Sequence, residues 1–154
     1  MSDYILDLRK TVGHRPLLQV GASVIVEDEA GRILLQRRSD NHRWGYAGGS
    51  VELDERVEDA ARRELFEETG LTAHSMTLFG VFSGPELHYR YPNGDEVSNV
   101  DIVYLCKSYS GTLAPQRDEV DELRFFPAEA LPEDIMPPNI PILAEWLRRK
   151  RSGQ

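Results

Sequence analysis

Gly49-Ser50-Val51-Glu52-Leu53-Asp54-Glu55, running on to Arg63-Glu64-Leu65-Phe66-Glu67-Glu68-Thr69-Gly70-Leu71, is the stretch that decides how this chain is read. Val57, Ala61 and Leu65 recur every four residues, the spacing of a buried helical stripe, so 57–69 reads as a helix. Gly70 follows where a left-handed residue closes helices. On that helix Glu64 and Glu68 lie on one face, one above the other, with Glu67 beside them. Like charges at this spacing repel by roughly 0.2–0.5 kcal/mol per pair unless something cationic lies between them. Residues 49–71 hold eight acids and three bases, a net −5 of the chain's −8. Arg63 is spaced to pair with Glu67 across one turn. A divalent cation relieves the rest, and carboxylate oxygens suit Mg2+ or Mn2+.

The residues around the helix complete that idea. Gly48-Gly49 ends a strand-like stretch and opens a loop, where glycine permits unusual backbone angles and lets a carbonyl approach a metal. A loop carbonyl and three helical carboxylates form half a shell of hard oxygen ligands. Water and phosphate oxygens supply the other half, as Mg2+ prefers. Such an ion neutralises developing phosphate charge and lowers the pKa of bound water, so the implied reaction is attack of water on phosphorus.

Outward from this segment, 17–26 is rich in β-branched residues and reads as a strand, Glu29-Ala30-Gly31-Arg32 as a turn, and 33–38 as the strand returning beside it. Strand patterns resume at 75–83. Residues 87–91 and 97–106 flank Pro92-Asn93-Gly94-Asp95, a hairpin turn by composition. A short strand is expected at 123–126 and one helical turn at 127–131. An amphipathic helix over 140–149 carries Leu143, Trp146 and Leu147. A short helix is expected over 2–11, capped by Ser2 or Asp3 and ended by Gly13. The irregular alternation predicts a single α/β domain over 1–154, a mixed sheet with helices against it.

Composition narrows the classes. Apolar residues make up 40% and charged residues 29% of 154 residues, the balance of a soluble domain with a sizeable core. No apolar run reaches the ~20 residues needed to span a bilayer, and no signal peptide is legible. One cysteine, Cys106, forms no internal disulfide, and the expected compartment is the cytoplasm. A net charge of −8 without a basic stripe argues against long nucleic acid as a partner. The four histidines show no metal spacing.

Gly49, five residues, Glu55, seven residues, Arg63-Glu64-Leu65, one residue, Glu67-Glu68, one residue, Gly70-Leu71 resembles the Nudix box at each of these positions. So many fixed positions make the pattern specific. Phe125-Phe126-Pro127-Ala128-Glu129-Ala130-Leu131-Pro132 resembles the family's closing strand and turn, and the strand pair before the box its first hairpin. The resemblance implies a Nudix α/β/α sandwich, a mixed sheet between helices. It assigns metal binding to Glu64, Glu67 and Glu68 with the carbonyl of Gly48, orientation of these acids to Arg63, and support to Glu55. An acid outside the box often completes the family's site as ligand or base, and Glu119 is the candidate here, with Asp118 and Glu122 as alternatives. Ala47 and Asp54 stand where the family often has Pro and Gly.

What the resemblance implies for function is Mg2+- or Mn2+-dependent hydrolysis of the pyrophosphate bond of a nucleoside diphosphate linked to another moiety. Alternatives are a nucleoside triphosphate pyrophosphatase of house-cleaning type and, in another class, a non-catalytic nucleotide sensor. The partner is then a small nucleotide, and many relatives form homodimers. For the substrate, Arg37 and Arg38 point to opposite faces of a strand, so one of them can reach phosphates. Trp44 and Tyr46 are candidates for stacking on a base, with core packing as the competing reading. Asn139, after Pro137-Pro138, stands near where some family members read a purine.

Overall fold

The computed structural model describes residues 3–115 and 118–153. Helix α1 (Tyr4–Val12) leads into strand β1 (Leu17–Val26) and β2 (Ile33–Arg38). Short strands β3 (Trp44–Gly45) and β4 (Ala47–Ser50) precede helix α2 (Val57–Thr69). Strands β5 (Thr72–Phe82), β6 (His88–Arg90), β7 (Glu96–Ser110) and β8 (Val120–Phe126) follow, and helix α3 (Ile140–Arg151) comes last.

Two sheets form. The larger has the order β4-β1-β7-β5 with β6 on β7, and the smaller has β3-β2-β8. β1 runs parallel to β7 and antiparallel to β4, so the larger sheet is mixed. Alternation along β1 divides the core. Ala22, Val24 and Val26 face α2, meeting Ala60, Ala61 and Leu65. Ile25 faces the other way, into a cluster with Ile142, Leu143 and Trp146 of α3. The helices thus cover opposite faces of the sheet, the α/β/α layering expected from the sequence.

One expectation is corrected. β2 does not return along β1 as a hairpin partner: apart from a single bridge between Glu27 and Ile33, the two strands belong to different sheets. The physical reason is burial on both faces. Val24-Ile25-Val26 and Ile33-Leu34-Leu35 are continuous apolar runs, and each takes an interior place in its own sheet, with a strand on either side. Element boundaries also shift. α1 is capped by Asp3, whose carboxylate accepts from the Leu6 amide at 3.1 Å, while Ser2 lies outside the described residues. β5 starts at Thr72 and β8 at Val120, both earlier than their apolar patterns suggest. Among the described residues no helix is long and apolar enough to cross a membrane.

Candidate active site

α2 presents the acids because its apolar stripe is already spoken for. Ala60, Ala61 and Leu65 bind it to the sheet, which turns the adjoining stripe, Glu64 and Glu68, toward β4. Both carboxylates are buried, at 5% and 8% residue exposure. Gly70 closes the helix with φ 79°, its amide donating to the Phe66 carbonyl at 2.8 Å. Gly49 is required by proximity: a Cβ there would lie 2.5 Å from Glu64 Cδ. The backbone of β4 therefore rests directly on the Glu64 carboxylate.

Arg63 holds the acids in order. Its Nε and Nη2 donate to the two Glu55 oxygens, both at 2.8 Å. Nη1 reaches Glu64 at 2.8 Å and Glu67 at 3.3 Å, and Nη2 also donates to the Ser50 carbonyl at 3.1 Å. Hydrogen bonding from Arg63 lowers the Glu55 pKa, and Glu55 in turn accepts from the Glu52 amide. Glu68 is different. Burial, then the neighbouring Glu64 charge, pushes its carboxyl well above the usual range. It accepts from the Gly48 amide at 3.1 Å and from the Gln36 side-chain amide.

This arrangement fits a hard divalent cation. Two carboxylates are buried side by side, and the adjacent guanidinium is already shared among four residues. Among the described residues no three acidic, His or Cys side chains converge on one point. Mg2+ needs no such cage, since it takes about one or two carboxylates and completes its shell with water and substrate phosphate. Glu64 and Glu68, the two buried acids, would supply that pair, and Arg63 reaches Glu64 at 2.8 Å and Glu67 at 3.3 Å.

The other sequence candidates separate. Arg38, Tyr46, Glu68 and Asn139 line the inner part of one cleft beside Gly48. Arg38 and Glu68 also line its outer part, with Glu64 and Glu119. Arg38 lies over the Tyr91 ring at 5.3 Å and is held by Asp40. Arg37 points away, to Asp121 at 3.6 Å, because neighbouring strand residues face opposite sides. Trp44 is buried edge-on against Phe126, with centroids 4.9 Å apart, so it is a core residue and offers no stacking face to the cleft. Glu122 is turned to Arg124, and Asp118 is not among the cleft residues, which leaves Glu119 at the rim.

The sequence reading missed two contributors, Gln36 and Asp101. Gln36 is a buried amide in the run Ile33-Leu34-Leu35-Gln36-Arg37-Arg38, and a glutamine ending an apolar run was the available signal. Asp101 sits at the inner end of the cleft, accepting from Ser23 at 2.7 Å and from Tyr46 at 2.8 Å. Burial raises its pKa, while both hydroxyls oppose the rise. Asp101 lies in the apolar strand Val100-Asp101-Ile102-Val103, again a polar residue among core positions. Tyr91, beside the hairpin turn, walls both parts of the cleft.

Comparison with known proteins gives the family. The NUDIX domain family model matches residues 17–147. The uncharacterized Nudix hydrolase YfcD of Salmonella typhi is 29% identical over 140 residues, covering 85% of this chain and 71% of that protein. An ADP-ribose pyrophosphatase of Methanocaldococcus jannaschii is 34% identical over 116 residues, covering 74% of this chain and 64% of the relative. Among solved structures, the MutT NUDIX hydrolase from Burkholderia pseudomallei superposes with a TM-score of 0.70 at 30% identity, covering 84% and 97% of the two chains. The chain belongs to the Nudix hydrolases, a family of pyrophosphohydrolases acting on phosphorus-containing anhydrides.

Proposed function

We propose that this chain hydrolyses the pyrophosphate bond of a nucleoside diphosphate linked to another moiety, of the nucleotide-sugar or ADP-ribose kind, with Mg2+ or Mn2+. The observation that carries the reading is the placement of Glu64 and Glu68. The cleft extends from Glu68 in two directions, inward to Asp101 and Asn139 and outward past Glu64 to Glu119. A pyrophosphate lying over the acids has one compartment on each side. The likeness to an ADP-ribose pyrophosphatase supports the same substrate class.

In this reading Glu64, Glu68 and the Gly48 carbonyl hold the ion, and Glu67 joins them when it leaves Arg63. The ion, when bound, neutralises phosphate charge and acidifies water. Arg63 and Glu55 keep the carboxylates aligned. Arg38, whose side chain is fixed by Asp40, meets phosphate oxygens at the mouth. Glu119 accepts the proton of the attacking water. The inner compartment, with Asn139 and Tyr46, receives the nucleoside. A single cysteine suits the reducing cytoplasm.

A triphosphate substrate is the second reading, favoured by the likeness to a structure described as MutT. Turnover of capped diphosphates and of triphosphates, with Mg2+ and with Mn2+, separates the two. Glu68→Gln should lose metal-dependent cleavage while keeping its circular dichroism and unfolding midpoint. Undiminished turnover in that variant rules out the site.

A further inference from the structure

We propose that α1 is a specificity wall, closing the outer compartment and favouring substrates whose phosphate chain ends in an uncharged, hydroxyl-bearing ring. This rests on the substrate reading above and assigns the part of the chain that recognises the second moiety.

α1 buries no residue of its own, and Leu6 is 60% exposed. It is nevertheless fastened at both ends. The Tyr4 amide donates to both Glu52 oxygens at 3.2 Å, tying the first turn to the loop that carries Glu55. Arg9, with a side chain only 8% exposed, donates to the carbonyls of Gly13 at 3.0 Å, Arg15 at 2.6 Å and Glu96 at 2.5 Å. Core packing does not explain a helix held this way. α1 also lies before the matched family segment, which begins at residue 17.

The position of α1 explains the fastening. Asp3, Ile5 and Leu6 line a cleft of about 430 Å3 together with Tyr91, Pro92, Glu64 and Glu68. That volume lies in the range of small-molecule sites. The charges decide what fits. Asp3, Asp40, Glu64, Glu68, Asp95 and Glu119 line the compartment, against two cations already engaged: Arg38 with Asp40, and Arg9 with carbonyls and with Asp95 at 3.7 Å. A terminal phosphate placed here meets carboxylates. A sugar ring meets carboxylate acceptors for its hydroxyls and apolar surface for its face.

Leu6→Lys and Arg9→Ala in the full chain test this. Leu6→Lys sets a cation in an exposed position that the core does not use, where it attracts a terminal phosphate and removes apolar surface from the ring, and Arg9→Ala releases the helix. ADP-ribose, UDP-glucose and GDP-mannose are compared with ATP, UTP and GTP. For the best capped diphosphate and the triphosphate of the same nucleoside, selectivity should fall about tenfold in each variant, through KM rather than kcat. Unchanged selectivity in both variants overturns the role of α1 alone. Wild type that cleaves triphosphates and no capped diphosphate overturns the substrate reading, and this inference with it.

Discussion

Glu55 and Arg63 meet as a two-pronged pair, with both hydrogen bonds at 2.8 Å, and the same guanidinium reaches Glu64 at 2.8 Å. The loop carboxylate therefore sets the angle at which Arg63 meets the helix acids. Lysine offers a point charge where this geometry needs a planar fork. Arg63→Lys should lower kcat/KM about 10–100-fold, the usual cost of losing a residue that orients metal-binding groups. Steady-state kinetics under saturating Mg2+ measure it.

The same pair gives a pH dependence. The Arg63 hydrogen bonds hold Glu55 below its ordinary 4.5, so its contribution to stability is complete above that value and is lost as pH falls through the lower folded value. Wild type should lose stability in this acid window. Glu55→Gln, with no charge to protonate, should show a shallower slope there. Urea titrations at a series of pH values below about 5 compare the two slopes.

Gly49→Ala should disable the site while leaving the fold in place. The new Cβ comes within 2.6 Å of both Glu64 carboxylate oxygens, so that carboxylate has to move. A displacement of about 1 Å in a catalytic group can cost about 100-fold in rate, and a loss of that size is expected. Isothermal titration with Mn2+ should show weaker ion binding in parallel.

Tyr46→Phe removes the hydroxyl that donates to Asp101 Oδ2 at 2.8 Å and leaves a buried oxygen short of a donor. The expected destabilisation is about 1–3 kcal/mol. Burial already raises the Asp101 pKa above 3.8, which means the ionised form is the costly one in the folded state. The penalty should therefore be smallest in acid and should grow as pH rises through the folded value. Thermal unfolding of both proteins across that range reads the trend.

Asp54 has φ 62°, in the left-handed region that suits glycine, and it follows an exposed Leu53 in the loop before α2. Asp54→Gly relieves the backbone. A gain of about 1 kcal/mol is expected, seen as a rise of about 2–4 °C in Tm. Differential scanning calorimetry checks it.

The helix bearing the acids was legible because three independent signals coincide: the Val57-Ala61-Leu65 spacing, Gly70, and the density of carboxylates. Its observed limits, Val57–Thr69, match that reading. The pairing of β1 and β2 was not legible. A turn between two apolar strands looks the same locally whether they share a sheet or part into two, and the decision depends on β7, some seventy residues further on, sliding in parallel beside β1. Arg37 and Arg38 show the same limit at the site. Alternation tells that they diverge, and only the assembled cleft tells that Arg38 is the one facing it. Asp101 and Gln36 were hidden because a polar residue in an apolar strand has no meaning until its partners arrive from other strands.

Glu68 accepts one hydrogen bond from Gln36 on β2 and another from Gly48 on β4, and these strands belong to different sheets. One carboxylate is thus a seam between the two layers. Parting the sheets to admit a ligand would break a bond to that carboxylate, so the entrance has to be open before the ligand arrives. Traffic through it is then governed by the parts around the rim, and encounter with substrate needs no yielding of the framework.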